Sequence, residues 1–317
     1  MTATACLISD WDTTSSVRSK PMTYGCFDLP KSEIHGRDWF FRNALPYLRK
    51  PDFANLGEPI IQSLLAANLI YFLEYTTLLE HRVVNRSVES IAHGELPTPI
   101  PDAFRSAGLK IYVDEGYHAV MSADLASQVC IRFSFATEVP RAFPRIETLM
   151  SIANNTIESD RPLISFLIGF VSETVITRAF LQVLRPTLIP PVYRVLRDHL
   201  HDEWRHSHYF SKLFQLVWEK LPLRQRTLCA NTLPKIILAC FSLDDDWLSK
   251  TLSAHGIPSE SIAEIASERA TVSALRHRAR DGAKATLAAL ARSGMLTSPV
   301  YRSAFLDAGL LVNEECS

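Results

Sequence analysis

Two short segments of this 317-residue chain read Asp-Glu-x-x-His, Asp114 to His118 and Asp202 to His206, and no other Glu-x-x-His occurs in it. On an α-helix a three-residue step puts Glu115 and His118, or Glu203 and His206, on one face within reach of a single metal ion. With ten histidines present, roughly half an instance of such a pair arises by chance, so a pair repeated with its leading aspartate carries weight. The two copies lie 88 residues apart, which leaves room for a further helix between them. A dinuclear carboxylate bundle needs a Glu-x-x-His from each of two helices and one Glu from each of two others.

The two missing carboxylates have candidates. Glu173 is the only acid in a run that holds Phe166, Leu167, Ile168, Phe170, Val171, Val175 and Ile176, and a carboxylate in such company must be paired, protonated or bound to metal. Arg178 is a poor ion-pair partner at five residues' distance. Further upstream two acids compete. Glu80 continues the stripe Leu65, Leu69, Phe72 and Thr76 by helical steps, whereas Glu74 falls about 200° round from Phe72 and faces outward. Glu80 is the better candidate and Glu74 its alternative, while the bland reading of Glu80 is a surface acid near Arg82. His199 shares a face with Glu203 and His206 by steps of four and three; taken alone it reads equally as a neighbour of the site or an exposed histidine. Asp114 and Asp202 suit a supporting part, each orienting the histidine of the opposite segment through its second ring nitrogen, against the plain reading of surface acids.

Helices must carry all of this. Apolar residues recur at the helical period and prolines separate the runs. The spacing predicts helices over about Pro59 to Ser90, Ala103 to Thr137, from Asp160 to about Leu184, and Val192 to about Leu221, with a shorter piece around Arg145 to Ile157. The four long ones make a bundle core over about 59–221, and the whole chain, 1–317, reads as one all-α domain. Residues 1–55, interrupted by Pro21, Pro30, Pro46 and Pro51, wrap that core and show no evident chemistry. Residues 225–317 remain helical in pattern, with breaks at Gly256-Ile257-Pro258 and Ser298-Pro299, and offer few residues for a site.

Composition narrows the function further. A hydrophobic share of 47% supports a sizeable core. The 33 basic residues nearly balance the 34 acidic ones, so no global field draws nucleic acid or an anionic membrane. Cys6, Cys26, Cys130, Cys229, Cys240 and Cys316 show no Cys-x-x-Cys pair and read as reduced, mostly buried thiols. Together with the lack of a secretory leader pattern at Met1 to Trp11, this makes a cytoplasmic location the default expectation. Leu163 to Leu184 is apolar enough to suggest a membrane span, but Glu173 and Arg178 inside it favour a buried helix. A site with four carboxylates suits a pair of iron or manganese ions better than structural zinc. Nothing resembles a P-loop, a dinucleotide-binding turn or a serine-nucleophile elbow.

On these residues the chain resembles a ferritin-like di-iron protein, and more narrowly the p-aminobenzoate N-oxygenase family of arylamine oxygenases found in aureothin and chloramphenicol biosynthesis. The narrower likeness rests on His199, four residues before Glu203. It covers roughly Pro59 to Leu221 and is strongest around Val113 to His118 and Asp198 to His206. The family's seven-ligand metal site maps onto Glu80, Glu115, His118, Glu173, His199, Glu203 and His206.

The resemblance implies a ferritin-like four-helix bundle with additional peripheral helices. It also implies two iron ions, O2 as co-substrate, and oxidation of an amine through hydroxylamine and nitroso stages to a nitro group in natural-product biosynthesis. No catalytic side chain beyond the metal ligands is singled out. An external electron donor or reductase is required, because the chain carries no flavin or iron–sulfur motif. Phe72, Thr76, Phe166, Phe170 and Thr177, about one turn from the ligands, are candidate walls of a substrate pocket, with plain core packing as the alternative for each. A homodimer is expected by analogy with large helical oxygenases. Two other readings stand beside this one: a di-iron hydroxylase, desaturase or oxidase acting at carbon, and a non-enzymatic metal-binding helical protein.

Overall fold

A computed structural model describes residues 8–20, 24–26, 29–135 and 142–312. Four short helices open the chain, α1 (Trp11–Thr14), α2 (Ser16–Ser19), α3 (Lys31–Ile34) and α4 (Pro51–Ala54). The bundle follows as α5 (Glu58–Leu79), a π-helical turn (Glu80–Val84), α6 (Asn85–Ala92), α7 (Asp102–Phe133), α9 (Arg161–Val183) and α10 (Pro190–Lys220), with α8 (Pro144–Asn154) between α7 and α9. The chain continues through α11 (Leu223–Cys240), α12 (Asp245–Ala254), α13 (Ser259–Ala270), α14 (Val272–Gly282), α15 (Lys284–Arg292) and α16 (Pro299–Asp307). Among the described residues the only β pairing is an isolated bridge between Asp38 and Leu188.

Proline sets these boundaries because it lacks the N–H that a helix interior needs but costs nothing in the first turn. Pro59, Pro162, Pro190 and Pro191 all sit in the first turn of a long helix, and Pro101 caps α7. α7 ends at Phe133, short of the Thr137 that the apolar pattern suggests, where Ser134 turns into the left-handed region at φ 52°; Thr137 itself lies outside the described residues. The first predicted long helix is continuous in space but not in type, since its hydrogen bonding widens to a π turn that starts at Glu80. Such turns are rare and recur at functional sites.

The bundle closes as a ring. α5 and α6 pack on α7, α6 packs on α9, α9 on α10, and α10 returns to α7. α9 is long and apolar enough to span a bilayer, but 72% of its most apolar stretch is buried inside the protein. Its apolarity serves a core, as the pair stacks Phe170 on Phe214 at 4.7 Å and Phe166 on Phe210 at 6.3 Å illustrate. Close approach between α6 and α9 occurs at Gly169, where any Cβ would overlap Ser87.

The outer layers are packed onto this ring. α11, α14 and α15 contact α9, α12 contacts α5, and α16 contacts α11. The N-terminal segment wraps the other side, tied by Cys26 N–H to Gln128 Oε1 at 2.8 Å and by the edge of Trp39 on Phe133. Cys26, Cys130, Cys229 and Cys240 are buried free thiols, while Cys6 and Cys316 lie outside the described residues.

Candidate metal centre

Each wall of the bundle contributes to one cluster. Glu80 comes from the π turn, Glu115 and His118 from α7, Glu173 from α9, and His199, Glu203 and His206 from α10. All seven side chains are fully buried. The steps of three and four along α7 and α10 place these residues on the faces those helices turn to the core.

The contacts are dense. Glu203 Oε1 lies 3.2 Å from His118 Nδ1, 3.4 Å from His199 Nε2 and 3.5 Å from His206 Nδ1. His199 Nε2 is 2.8 Å from Glu80 Oε1, and His206 Nδ1 is 2.8 Å from Glu115 Oε1 and 3.6 Å from Glu173 Oε2. Two groups of four have ligand atoms within 4.8 Å of one another: Glu80, His118, His199 and Glu203, and Glu115, His118, Glu203 and His206. Glu203 and His118 belong to both, so the cluster has two adjoining centres.

Despite this crowding, both carboxylate oxygens of Glu80, Glu115, Glu173 and Glu203 lack a hydrogen-bond donor, as the inward nitrogens of all three histidines lack a partner. Four buried carboxylates without donors are an arrangement that folding cannot sustain unless cations or protons occupy it. Two divalent ions balance four carboxylates. The donor set, oxygen and imidazole nitrogen with no thiolate, suits iron or manganese, so the residues fit a dinuclear centre.

Without metal, protons take up part of that charge. Burial pushes the Glu80 carboxyl up to about 7. Burial and then the charges of Glu203 and Glu115 raise Glu173 well above its ordinary range. His118 and His206 go the other way from their burial: burial favours neutral rings, but the surrounding carboxylates outweigh it and hold both well above the usual imidazole range. Burial likewise opposes the charge of Glu203, yet the three histidines drawn up against it keep it well below the usual carboxylate range.

Around this cluster the hydrogen bonds run crosswise. His118 Nε2 lies 3.2 Å from Asp202 Oδ2 and His206 Nε2 lies 3.1 Å from Asp114 Oδ2, so each aspartate faces the histidine of the other helix. This geometry fixes the tautomer that leaves Nδ1 free to bind metal. Burial works against the charge of Asp202, but His118, His206 and the Ser16 N–H together hold its carboxyl below the ordinary range. Glu74 is not part of the cluster; it is half-buried on α5, its charge acts on Cys130, and burial lifts it to about 7.

A chamber of about 310 Å³ is lined by residues of the same helices, though by none of the seven side chains themselves. Thr76 and Leu79, within a turn of Glu80 along the chain, and Ser172, next to Glu173, line it together with Tyr71, Arg145, Asp244 and Trp247. Of the five candidate pocket residues, Phe72 and Thr76 line this chamber, whereas Phe166 and Phe170 stack on Phe210 and Phe214. Thr177 lies on a different, more open depression, and its hydroxyl reaches the Glu173 and Glu203 carbonyls at 2.9 and 3.2 Å, tying α9 to α10.

Two contributors escaped the sequence. Part of the chamber wall comes from α8 and the α11–α12 region, where no motif signals a site. The N-terminal segment also reaches the centre, because Trp11, Ser15 and Ser16 bond Asp114 and Asp202; the expectation of no chemistry before residue 55 is therefore corrected. Only the concentration of Ser and Thr after Trp11 hinted at hydrogen-bond donors there.

A family model described as p-aminobenzoate N-oxygenase AurF matches residues 28–294. Among curated proteins, none matches the chain.

Proposed function

The chain belongs to the p-aminobenzoate N-oxygenase family, and from that premise we propose that Glu80, Glu115, His118, Glu173, His199, Glu203 and His206 hold the two iron ions of an arylamine N-oxygenase whose substrate enters the aromatic chamber beside Glu80. The family is one of di-iron enzymes that use O2, and the chain is an oxidoreductase of this kind. The observation that carries the ligand assignment is the set of four fully buried carboxylates without donors, facing three histidine nitrogens.

When bound, the irons activate O2 for oxygen transfer to the amine nitrogen. The chain's own residues do the rest. Glu203, within reach of all three histidines and common to both groups of ligand atoms, would help hold both ions. Asp114 and Asp202 accept the outer imidazole protons and so aim the rings. Full burial of the ligands keeps bulk water from the reacting atoms. Thr76, Leu79 and Ser172, all within a turn of Glu80 or Glu173 along the chain, support placing the amine at that side of the chamber.

The chamber wall selects the substrate. The Tyr71 and Trp247 rings lie 4.0 Å apart between centroids, tilted by 33°, and form an aromatic wall. The Arg145 guanidinium lies 5.3 Å over Tyr75, held by a bond from Nε to the Ser242 carbonyl. Arg269, also on the chamber, is paired with Asp245 at 3.2 Å, but no carboxylate pairs with Arg145 among the described residues. An arylamine with an acidic group opposite the nitrogen would supply that partner. An electron-donating reductase, a homodimeric assembly and a cytoplasmic setting complete this reading; the four buried reduced thiols support the last.

The test is single-turnover oxidation by chemically reduced, iron-loaded protein. Arylamine acids should yield hydroxylamine, nitroso and nitro products, and Arg145→Ala should raise KM for the acids more than for neutral arylamines. Oxidation at carbon, or no turnover across an arylamine panel, would overturn the substrate reading.

A further inference from the structure

We propose that the N-terminal strap, Trp11 to Ser19, is a clamp that positions the metal ligands, with Trp11 and Ser15 setting His206 through Asp114 and Ser16 setting His118 through Asp202. The proposal rests on the ligand assignment above. It goes beyond it because the strap precedes residue 28, where the match to the family begins.

A histidine is aimed by its carboxylate only if that carboxylate is itself held. Asp114 and Asp202 are fully buried, so each needs donors to keep its charge and orientation. The strap provides them. Trp11 Nε1 donates to Asp114 Oδ1 at 2.8 Å, and the Ser15 hydroxyl donates to the same oxygen, leaving Oδ2 for His206. Ser16 N–H donates to Asp202 Oδ2 at 3.0 Å, on the oxygen that faces His118, while its hydroxyl bonds the Asp198 carbonyl at 3.0 Å. Arg205 joins the strap to α10 by bonding both Thr14 and Asp202.

Two further features fit a seat of defined geometry. Ser15 and Ser16 are completely buried although α1 and α2 are four-residue helices at the edge of the fold. The Trp11 ring lies near two cations, with Arg18 at 5.8 Å and Lys110 at 5.5 Å from its centroid, which fixes the ring that carries the donor. The clamp is divided, one arm for each histidine. Trp11 and Ser15 therefore act on the group of Glu115, His118, Glu203 and His206, through the histidine it does not share, and not on the group of Glu80 and His199.

The experiment uses the full chain loaded with Fe(II), and in parallel with Co(II), whose visible bands report ligand geometry. Trp11→Phe keeps the ring and removes the donor; Ser15→Ala removes the hydroxyl; Thr13→Ala, whose hydroxyl bonds only the Asp10 carbonyl, is the control. Release of one of the two Fe(II) ions to a chelator should quicken roughly tenfold in both strap variants, within the range for lost outer hydrogen bonds, and one Co(II) band set should shift while the other stays. Thr13→Ala should match the parent chain. Release within about twofold of the parent, well short of the roughly tenfold lower bound for such losses, together with unchanged Co(II) bands would overturn the clamp. Failure of the ligand assignment looks different: the parent chain binds no metal pair, or Glu203→Ala binds as many ions as the parent. If one strap variant does not fold, the other still decides.

Discussion

His199 turns a different nitrogen to the cluster than its two partners do: its Nε2 lies 2.8 Å from Glu80 Oε1, whereas His118 and His206 present Nδ1 and rest Nε2 on Asp202 and Asp114. Among the described residues no carboxylate aims the His199 ring from behind, and its Nδ1 is buried without a partner. Packing holds it instead, with Phe180 at 4.3 Å and the His118 ring at 4.0 Å between centroids. The site is thus two metal positions supported by different physics.

The first prediction follows from that difference. His199→Ala should leave a folded protein that retains about one iron per chain, because Glu115, His206 and Glu173 still surround the other position; Glu203→Ala should lose both. Metal analysis after gel filtration checks this. Two irons retained by the His199 variant would count against its role as a ligand.

A second prediction separates the aspartates. Asp114→Asn removes a charge whose other partners are neutral donors, Trp11 and Ser15. Asp202→Asn also strips the nearly buried Arg205 of its closest carboxylate, leaving Asp10 at 3.7 Å. Both should weaken metal binding roughly tenfold to a hundredfold. Only Asp202→Asn should also lower the melting temperature of the metal-free protein, by leaving a poorly paired guanidinium. Equal melting temperatures for the two variants would refute the distinction.

Much of the centre was legible because helices convert sequence spacing into geometry. Glu115 with His118, and Glu203 with His206 and His199, needed only steps of three and four. Glu173 stood out by being charged where everything else was apolar. Glu80 was harder, since a π turn begins there and its wider hydrogen bonding carries no residue signal. The strap and part of the chamber wall were illegible for a different reason. Trp11, Ser15, Arg145 and Asp244 meet the site through tertiary packing of short or distant elements, and no local period records which of them will meet. Phe166 and Phe170 illustrate the same limit, for proximity in sequence to Glu173 places them against Phe210 and Phe214 rather than on this chamber.

The third prediction concerns pH at the start of α9, the helix that carries Glu173. Asp160 accepts from both terminal nitrogens of Arg224, at 2.6 and 2.5 Å, and Arg224 first and Gln225 next hold its carboxyl below the usual range. A depressed folded pKa means that the stabilisation is present above the unfolded value, about 3.9, and is lost as pH falls through the folded one. Asp160→Asn should therefore lower the melting temperature near neutrality and converge with the parent chain in strong acid. An equal offset at every pH would point to a role other than this ion pair.

The fourth prediction is the response to metal removal. Burial holds the Glu80 carboxyl at about 7, above the ordinary value near 4.3, so the unfolded chain gives up this proton before the folded one does. For a raised carboxylate the stabilising contribution is intact below the unfolded value and is lost as pH rises through the folded one. Metal-free protein should therefore lose stability from about pH 5 to pH 8 as far as this group decides it. Glu173 is displaced in the same direction. Metal binds the deprotonated forms, so loading displaces these protons. Iron added in weak buffer at about pH 6 should acidify the solution, and less so at about pH 9, where Glu80 has already lost its proton. Binding to the folded state alone should add about 4 kcal/mol when free metal is a thousandfold above Kd, read as a rise in melting temperature that a chelator reverses. Loading that releases no protons at the lower pH would mean that these carboxyls do not meet the metal.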